Sequence, residues 1–276
     1  MRLRHLAALV VAMCLCARLG GAETTPLERD DGTQIPVRLA GDWTQDCPPT
    51  VILSHGLGGD ADALRWVDGA ATAAGYRMLV MGHAESGPAL LREVLRQGAA
   101  RLLDPAPWRA READLKAALA YATRLCRPKV LVLGGHSMGA AQTMFEAGAI
   151  GLTPYRGQDQ FDAYIAVSPQ GVSWAFASPD AWRKVEKPVL MLTGTRDHGF
   201  GGDTWEGRLV AFQGLPPGKK RLAVVEGANH LNLGGFGNRR AQAKLAAVTE
   251  EFLRQLLDGW APTALGAEPG LAIQEK

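Results

Sequence analysis

The stretch at residues 129–141, KVLVLGGHSMGAA, constrains this chain more than any other. An apolar β-type run, residues 130–133, leads through Gly134-Gly135-His136-Ser137-Met138-Gly139 into small residues that a helix accepts. The pattern predicts a strand, a tight turn and a helix, with GxSxG at the turn. A turn that pushes the Ser137 side chain out of the backbone brings strand and helix so close that glycine is needed at 135 and 139. In a chain with 33 glycines the bare pattern can arise by accident, so the flanking strand and helix carry the argument.

The segments around it alternate in kind. Residues 50–59, TVILSHGLGG, are apolar without interruption up to Ser54 and then turn through glycines. Such a run suits a strand covered on both faces, as in a parallel sheet. Further strands are predicted at 76–81, 163–167, 189–193 and 222–225, with helical patterns at 60–74, 111–125, 179–185, 204–212 and 239–257. Residues 34–39, after an Asp-Asp-Gly turn, read as an edge strand or hairpin. The fold class expected is α/β, a single domain on a mostly parallel, doubly wound sheet of about seven or eight strands with helices on both faces. A chain of 276 residues, 47% hydrophobic, can bury such a core. Residues 82–109 are less regular and hold an amphipathic piece, 89–103, closed by Asp104-Pro105-Ala106-Pro107. Because it follows a strand's carboxyl end it is a candidate cap, or else a plain surface helix. The tail, 261–276, has no periodicity and is expected to be disordered.

The first 22 residues read as a secretory signal peptide: Arg2 and Arg4, an apolar run at 6–16 too short to span a membrane, and small residues Gly20 and Ala22 before the expected cut. Its removal takes away Arg2, Arg4 and Arg18 and no acid, so 30 basic residues become 27 against 28 acidic, a net charge of −1. The domain then spans 23–260, and the product is exported, periplasmic or extracellular, with no stable membrane anchor. Two cysteines remain, Cys47 and Cys126, each just ahead of a predicted strand. If those strands are parallel neighbours, both thiols lie at one sheet edge, and an oxidising compartment joins them. The loop closed is long enough for the bridge to be worth about 4 kcal/mol. No basic patch or nucleic-acid motif appears, so no nucleic-acid partner is expected.

A serine hydroxyl needs a base to take its proton and an acid to orient that base. In this strand order the three follow as Ser, Asp or Glu, then His. His5 lies in the leader, His55 and His136 in Gly-rich turns, and His83 precedes Ser137. Of the remaining two, His230 follows the last predicted strand in a loop able to reach the elbow, whereas His198 adjoins the best acid. His230 is the candidate base. Asp197 ends the strand at PVLMLTGTRD and is the candidate acid, with Asp203 the alternative. Met138, after the serine, offers one oxyanion N–H; Leu57 offers the second, with Gly58 the alternative. Trp174 and Phe176 line a substrate pocket or else belong to the core. No ligand spacing for a metal and no dinucleotide fingerprint occurs, so neither metal nor cofactor is expected.

With SHGLGG, GHSMG, TGTRD and GANH in these places, the chain resembles the α/β-hydrolase superfamily over nearly its whole mature length. More narrowly it looks like the bacterial branch of predicted dienelactone hydrolases, similar to platelet-activating-factor acetylhydrolases and chlorophyllases. The shared pattern includes a helix with Arg and Asp, here Arg111 and Asp114. The resemblance implies a secreted serine esterase acting on a small-molecule or polymeric ester through Ser137, His230 and Asp197. A cutinase-like polyester or lipid-acyl hydrolase, or a non-catalytic binding protein on the same fold, are the alternatives.

Overall fold

Along the central strands, successive residues point to opposite layers, which is why these segments are apolar without alternation. In β3 (Thr50–Ser54), Val51 and Leu53 face one core while Ile52 faces the other. The same division runs through β4 (Arg77–Met81), β5 (Leu131–His136), β6 (Ala163–Val167), β7 (Val189–Arg196) and β8 (Lys220–Asn229). These six strands are parallel, in the order β4-β3-β5-β6-β7-β8. The computed structural model describes residues 23–44, 47–199 and 203–276; the leader expected at 1–22 lies outside them.

One layer packs α1 (Arg65–Ala73) and α6 (Arg239–Asp258) on the sheet through Val67, Leu245, Val248 and Phe252. The other carries α2 (Pro88–Gln97), α3 (Pro105–Thr123), α4 (Met138–Glu146) and α5 (Trp205–Gly214), which bury Leu90, Trp108, Phe145 and Phe212. A hairpin of β1 (Glu23–Glu28) and β2 (Gln34–Ala40) adds antiparallel to β4.

Nine strands are present among the described residues, against the seven or eight expected. The additional one comes from the tail. Residues 261–276, expected to lack order, include β9 (Leu271–Glu275), which pairs antiparallel with Arg221–Val225 of β8. Its order comes from backbone pairing at an open sheet edge and from the buried Leu271, and neither leaves a periodicity in so short a segment.

Helix limits also differ from the sequence reading, for local reasons. Residues 61–64 form turns, and α1 begins only after Leu64, which takes a left-handed conformation at φ 58°. The Asp104-Pro105 pair begins α3 six residues before Arg111, because Asp104 accepts the Ala106 N–H and Pro105 occupies a first-turn position where no donor is needed. Residues 179–185 yield only a short 3₁₀ turn, Pro179–Trp182.

Strands β3 and β5 are adjacent and parallel, so Cys47 and Cys126 meet at their amino ends. They form a disulfide with Cα atoms 5.9 Å apart across 79 residues. No helix among the described residues is long and apolar enough to cross a membrane.

Candidate active site

The elbow is built from close backbone approaches. A Cβ on Gly139 would press into the carbonyls of Ser54 and His55, and one on Gly135 into the backbone of Gly139. Neither glycine has a positive φ, so space, not conformational freedom, demands them. Ser137 itself carries the strain, at φ 54° and ψ −115°. Its N–H donates to the Val167 carbonyl at 3.0 Å, tying the turn to β6, and its carbonyl starts α4 by accepting the Ala141 N–H at 2.9 Å.

His230 arrives from β8, whose end is set by a reciprocal cap: Asn229 and Asn232 each bond the other's backbone N–H. His230 Nε2 lies 3.0 Å from Ser137 Oγ, and Nδ1 lies 2.8 Å from Asp197 Oδ1. Asp197 follows β7 and is fully buried, with Thr193 Oγ1 donating to its Oδ2 at 2.8 Å. The sequence reading left Asp203 as an alternative acid; it lines the cleft beside Ser137, whereas Asp197 bonds the imidazole. His198 is exposed.

Two residues that the sequence reading passed over complete this cluster. Ser168 follows β6 at φ 53°, its Oγ donating to Asp197 Oδ1 at 3.0 Å while standing 2.9 Å from His230 Nδ1. Arg208, 1% exposed on α5, donates through Nη2 to Asp197 Oδ1 at 3.0 Å and Ser168 Oγ at 2.8 Å, and its Nε, 2.8 Å from Asp197 Oδ2, completes an ion pair. In the sequence Arg208 is one more cation in a helical pattern, and nothing local marks it. Burial alone would push the Asp197 carboxyl up; the His230 bond, the Arg208 charge and Ser168 outweigh it and hold the group down at about 2. Asp197 is therefore ionised at neutral pH. Beneath His230 lies His136, which donates from Nε2 to the His230 carbonyl at 3.1 Å. Burial pulls His136 to about 3, so it sits as a neutral brace.

The turn after β3 is held from below. Arg111, fully buried, donates to Ser54 Oγ at 2.7 Å, the His55 carbonyl at 3.0 Å and Ser86 Oγ at 2.8 Å. Burial brings its guanidinium down to about 9, still cationic at neutral pH. Asp114, from the same helix, accepts Arg29 Nε at 2.6 Å and lies 2.7 Å from His83 Nδ1. His55 donates from Nδ1 to the Gly56 carbonyl and accepts the His83 N–H at Nε2, which fixes its neutral tautomer. Burial, first, and the neighbouring cations also pull His83 well below the usual histidine range.

Of the two candidate second donors, the Gly58 N–H is already given to the Ser86 carbonyl at 2.8 Å. Leu57 lines the cleft together with Ser137 and Met138. Met138 opens α4, where the backbone N–H has no acceptor within its own helix. Leu102, from the 3₁₀ turn Ala99–Leu103, and Trp174 form apolar walls, so the segment 82–109 does contribute to the cleft. Phe176 does not: it is fully buried between Phe145 and Trp182, with ring centroids at 5.1 and 4.9 Å, and belongs to the core. Among the described residues no three His, Cys, Asp or Glu side chains converge as a metal-binding group.

No family model matches the chain, and no curated protein sequence does either. Solved structures do. An esterase of Thermogutta terrifontis, phosphonylated by cyclosarin, superposes with a TM-score of 0.62 at 17% identity, covering 88% of this chain and 97% of that one. Est1E from Butyrivibrio proteoclasticus with bound ferulic acid matches at 0.59 and 16%, covering 84% and 99%. A dienelactone hydrolase from Anabaena variabilis matches at 0.56 and 15%, covering 84% and 96%. At these identities the likeness is one of fold.

Proposed function

For a chain with the α/β-hydrolase fold shared by these esterases and hydrolases, we propose an exported serine esterase that cleaves carboxylic esters through an acyl-enzyme. The observation that carries this reading is the bonded series Ser137 Oγ, His230 Nε2, His230 Nδ1 and Asp197 Oδ1, at 3.0 and 2.8 Å. In it, Ser137 Oγ attacks the ester carbonyl as His230 Nε2 takes its proton. Asp197, ionised and locked by Arg208 and Thr193, keeps the Nδ1 proton in place and stabilises the imidazolium. The Leu57 and Met138 N–H groups receive the oxyanion. His230 returns the proton to the leaving alcohol, and a water repeats the cycle to release the acid and free Ser137.

The enclosed space beside Ser137 is about 10 Å³, room for roughly one water and far too small for a long acyl chain, which supports small esters over long-chain ones. The Cys47–Cys126 bridge supports an oxidising compartment, periplasmic or extracellular. Hydrolysis of p-nitrophenyl acetate to palmitate by wild type and Ser137→Ala tests the reading. We expect wild-type turnover that favours the short esters and a loss of ~10⁴-fold or more in the variant. Equal rates for the two proteins on every ester would refute it and bring forward a non-catalytic binding role.

A further inference from the structure

Three amides follow one another in the turn after β3, and two of them are spent. Gly58 N–H donates to the Ser86 carbonyl at 2.8 Å, and Gly59 N–H to the Gly56 carbonyl at 3.1 Å. Leu57 N–H, just ahead of them, has no acceptor among the described residues, and Leu57 lines the cleft with Ser137. Its direction is set from the far side of the same peptide. In a trans peptide the C=O of one residue and the N–H of the next point opposite ways from one rigid plane. Whatever holds the Gly56 carbonyl therefore aims the Leu57 N–H.

His55 holds that carbonyl. The ring, with no exposed surface, donates from Nδ1 to the Gly56 carbonyl at 2.6 Å and accepts the His83 N–H at Nε2 at 2.8 Å. Both bonds demand one tautomer, since a carbonyl only accepts and an amide N–H only donates. Burial, then His83 and the charge of Arg111, hold the imidazole well below the usual histidine range, so it keeps its Nε2 acceptor at neutral pH. The ring also packs under Gly59, where a Cβ would stand 3.0 Å from Nδ1. Both ends of the turn meet one guanidinium. Arg111 donates to the His55 carbonyl at 3.0 Å and to Ser86 Oγ at 2.8 Å, while the Ser86 carbonyl takes the Gly58 N–H. Leu57 is thus fixed before and behind, its N–H turned away from the buried ring.

Resting on the esterase reading above, we propose that His55 is a positioning residue: its Nδ1–H, acting through the Gly56 carbonyl, aims the Leu57 N–H at the oxyanion. His55 touches no reacting atom. Its effect is realised as the ester carbonyl becomes tetrahedral, so it belongs to kcat and not to KM.

Two substitutions separate the two bonds of the ring. His55→Asn puts an amide N–H near the Nδ1 position and cannot reach the His83 N–H. His55→Gln reaches the Nε2 position with an acceptor and leaves the Gly56 carbonyl without its side-chain donor. Both lose ring volume and one buried bond, so Tm falls in both, and turnover tells the bonds apart. With p-nitrophenyl acetate we expect kcat of His55→Gln to fall on the order of ten- to a hundredfold with KM within about twofold of wild type, and His55→Asn to keep kcat within roughly threefold. Inhibition by a boronic acid, which forms a tetrahedral adduct on Ser137, should weaken in His55→Gln in parallel with kcat. Equal kcat in the two variants, a lower kcat in His55→Asn, a loss carried by KM, or unchanged boronic acid affinity in His55→Gln overturns the proposal. Should the variants not fold, the ring nitrogen chemical shifts of His55 in wild type decide: a proton on Nδ1 supports the proposal, and one on Nε2 overturns it. Failure of the underlying esterase reading is distinct, showing as no Ser137-dependent turnover of any ester by wild type.

Discussion

Replacing Arg208 by Met removes a buried cation while keeping most of the apolar length of the side chain. In the intact protein Arg208 donates from Nη2 to Asp197 Oδ1 at 3.0 Å and its Nε lies 2.8 Å from Oδ2 as an ion pair, and neither residue is more than 1% exposed. Removing one member of such a pair strands the other charge and typically costs about 3–5 kcal/mol. Because His230, Ser168 and Thr193 still bond Asp197, the lower end, about 3 kcal/mol, applies. At roughly 2–4 °C per kcal/mol for a domain of this size, Tm should fall by about 6–12 °C at neutral pH. The pH dependence gives the mechanism away. The Asp197 carboxyl, at about 2 against an ordinary 3.8, contributes about 2 kcal/mol that is fully present above pH 3.8 and lost as pH falls toward 2. Without Arg208, burial dominates and the folded carboxyl rises, so the variant penalty is greatest at neutral pH and shrinks as Asp197 protonates. Thermal unfolding of both proteins from pH 7 to pH 3 measures this directly. Arg208→Lys should recover part of the loss, since an ammonium restores the charge but not the two-pronged bond. A gap that stays constant with pH, or a neutral-pH Tm within about 2 °C of wild type, would refute the assignment of Arg208 as the ionic clamp on Asp197.

Three further outcomes are expected. Gly139→Ala should destabilise by about 3 kcal/mol or more, because its Cβ meets the backbone carbonyls of Ser54 and His55 and not a movable side chain; a Tm within 2 °C of wild type would contradict the packing of the elbow. Cys126→Ser should cost about 4 kcal/mol under oxidising conditions, and dithiothreitol should lower the wild-type Tm to the same value while leaving the variant unmoved. Ending the chain after residue 262 removes β9 and the Glu275 carboxylate that lies 2.6 Å from Arg221; β8 amides should then exchange hydrogen faster than β7 amides, and unchanged β8 protection would show that β9 adds little.

Several of these features are written locally. The elbow is one: a strand, a serine between glycines and a helix can hardly fold otherwise, since Cβ atoms at 135 and 139 have nowhere to go. The parallel sheet is another, because strands buried on both faces must be apolar along their length, as residues 51–53 and 163–167 are. The Cys47–Cys126 pairing follows from two such strands being neighbours. Chain order after the elbow leaves His198 and His230, of which the place after the last predicted strand favours His230, and narrows the candidate acid to Asp197 or Asp203.

The choices left open were those that depend on convergence of distant segments. Asp197 and Asp203 both follow β7 within a few residues; Asp197 lies against His230 and Asp203 in the cleft. Trp174 and Phe176 are two residues apart, yet one faces the cleft and the other the core. Arg208 and Ser168 carry no local signal, because a cation in a helix or a serine after a strand acquires its role only from what is buried against it. The last strand was hidden for a related reason: backbone pairing to β8 orders residues that side-chain periodicity does not mark. Sequence alone determined the central strands and the elbow, through sterics and burial patterns that act over a few neighbouring residues. Only the tertiary structure decided which polar groups share one desolvated space, and there electrostatics and hydrogen bonding depend on distances that no single segment contains.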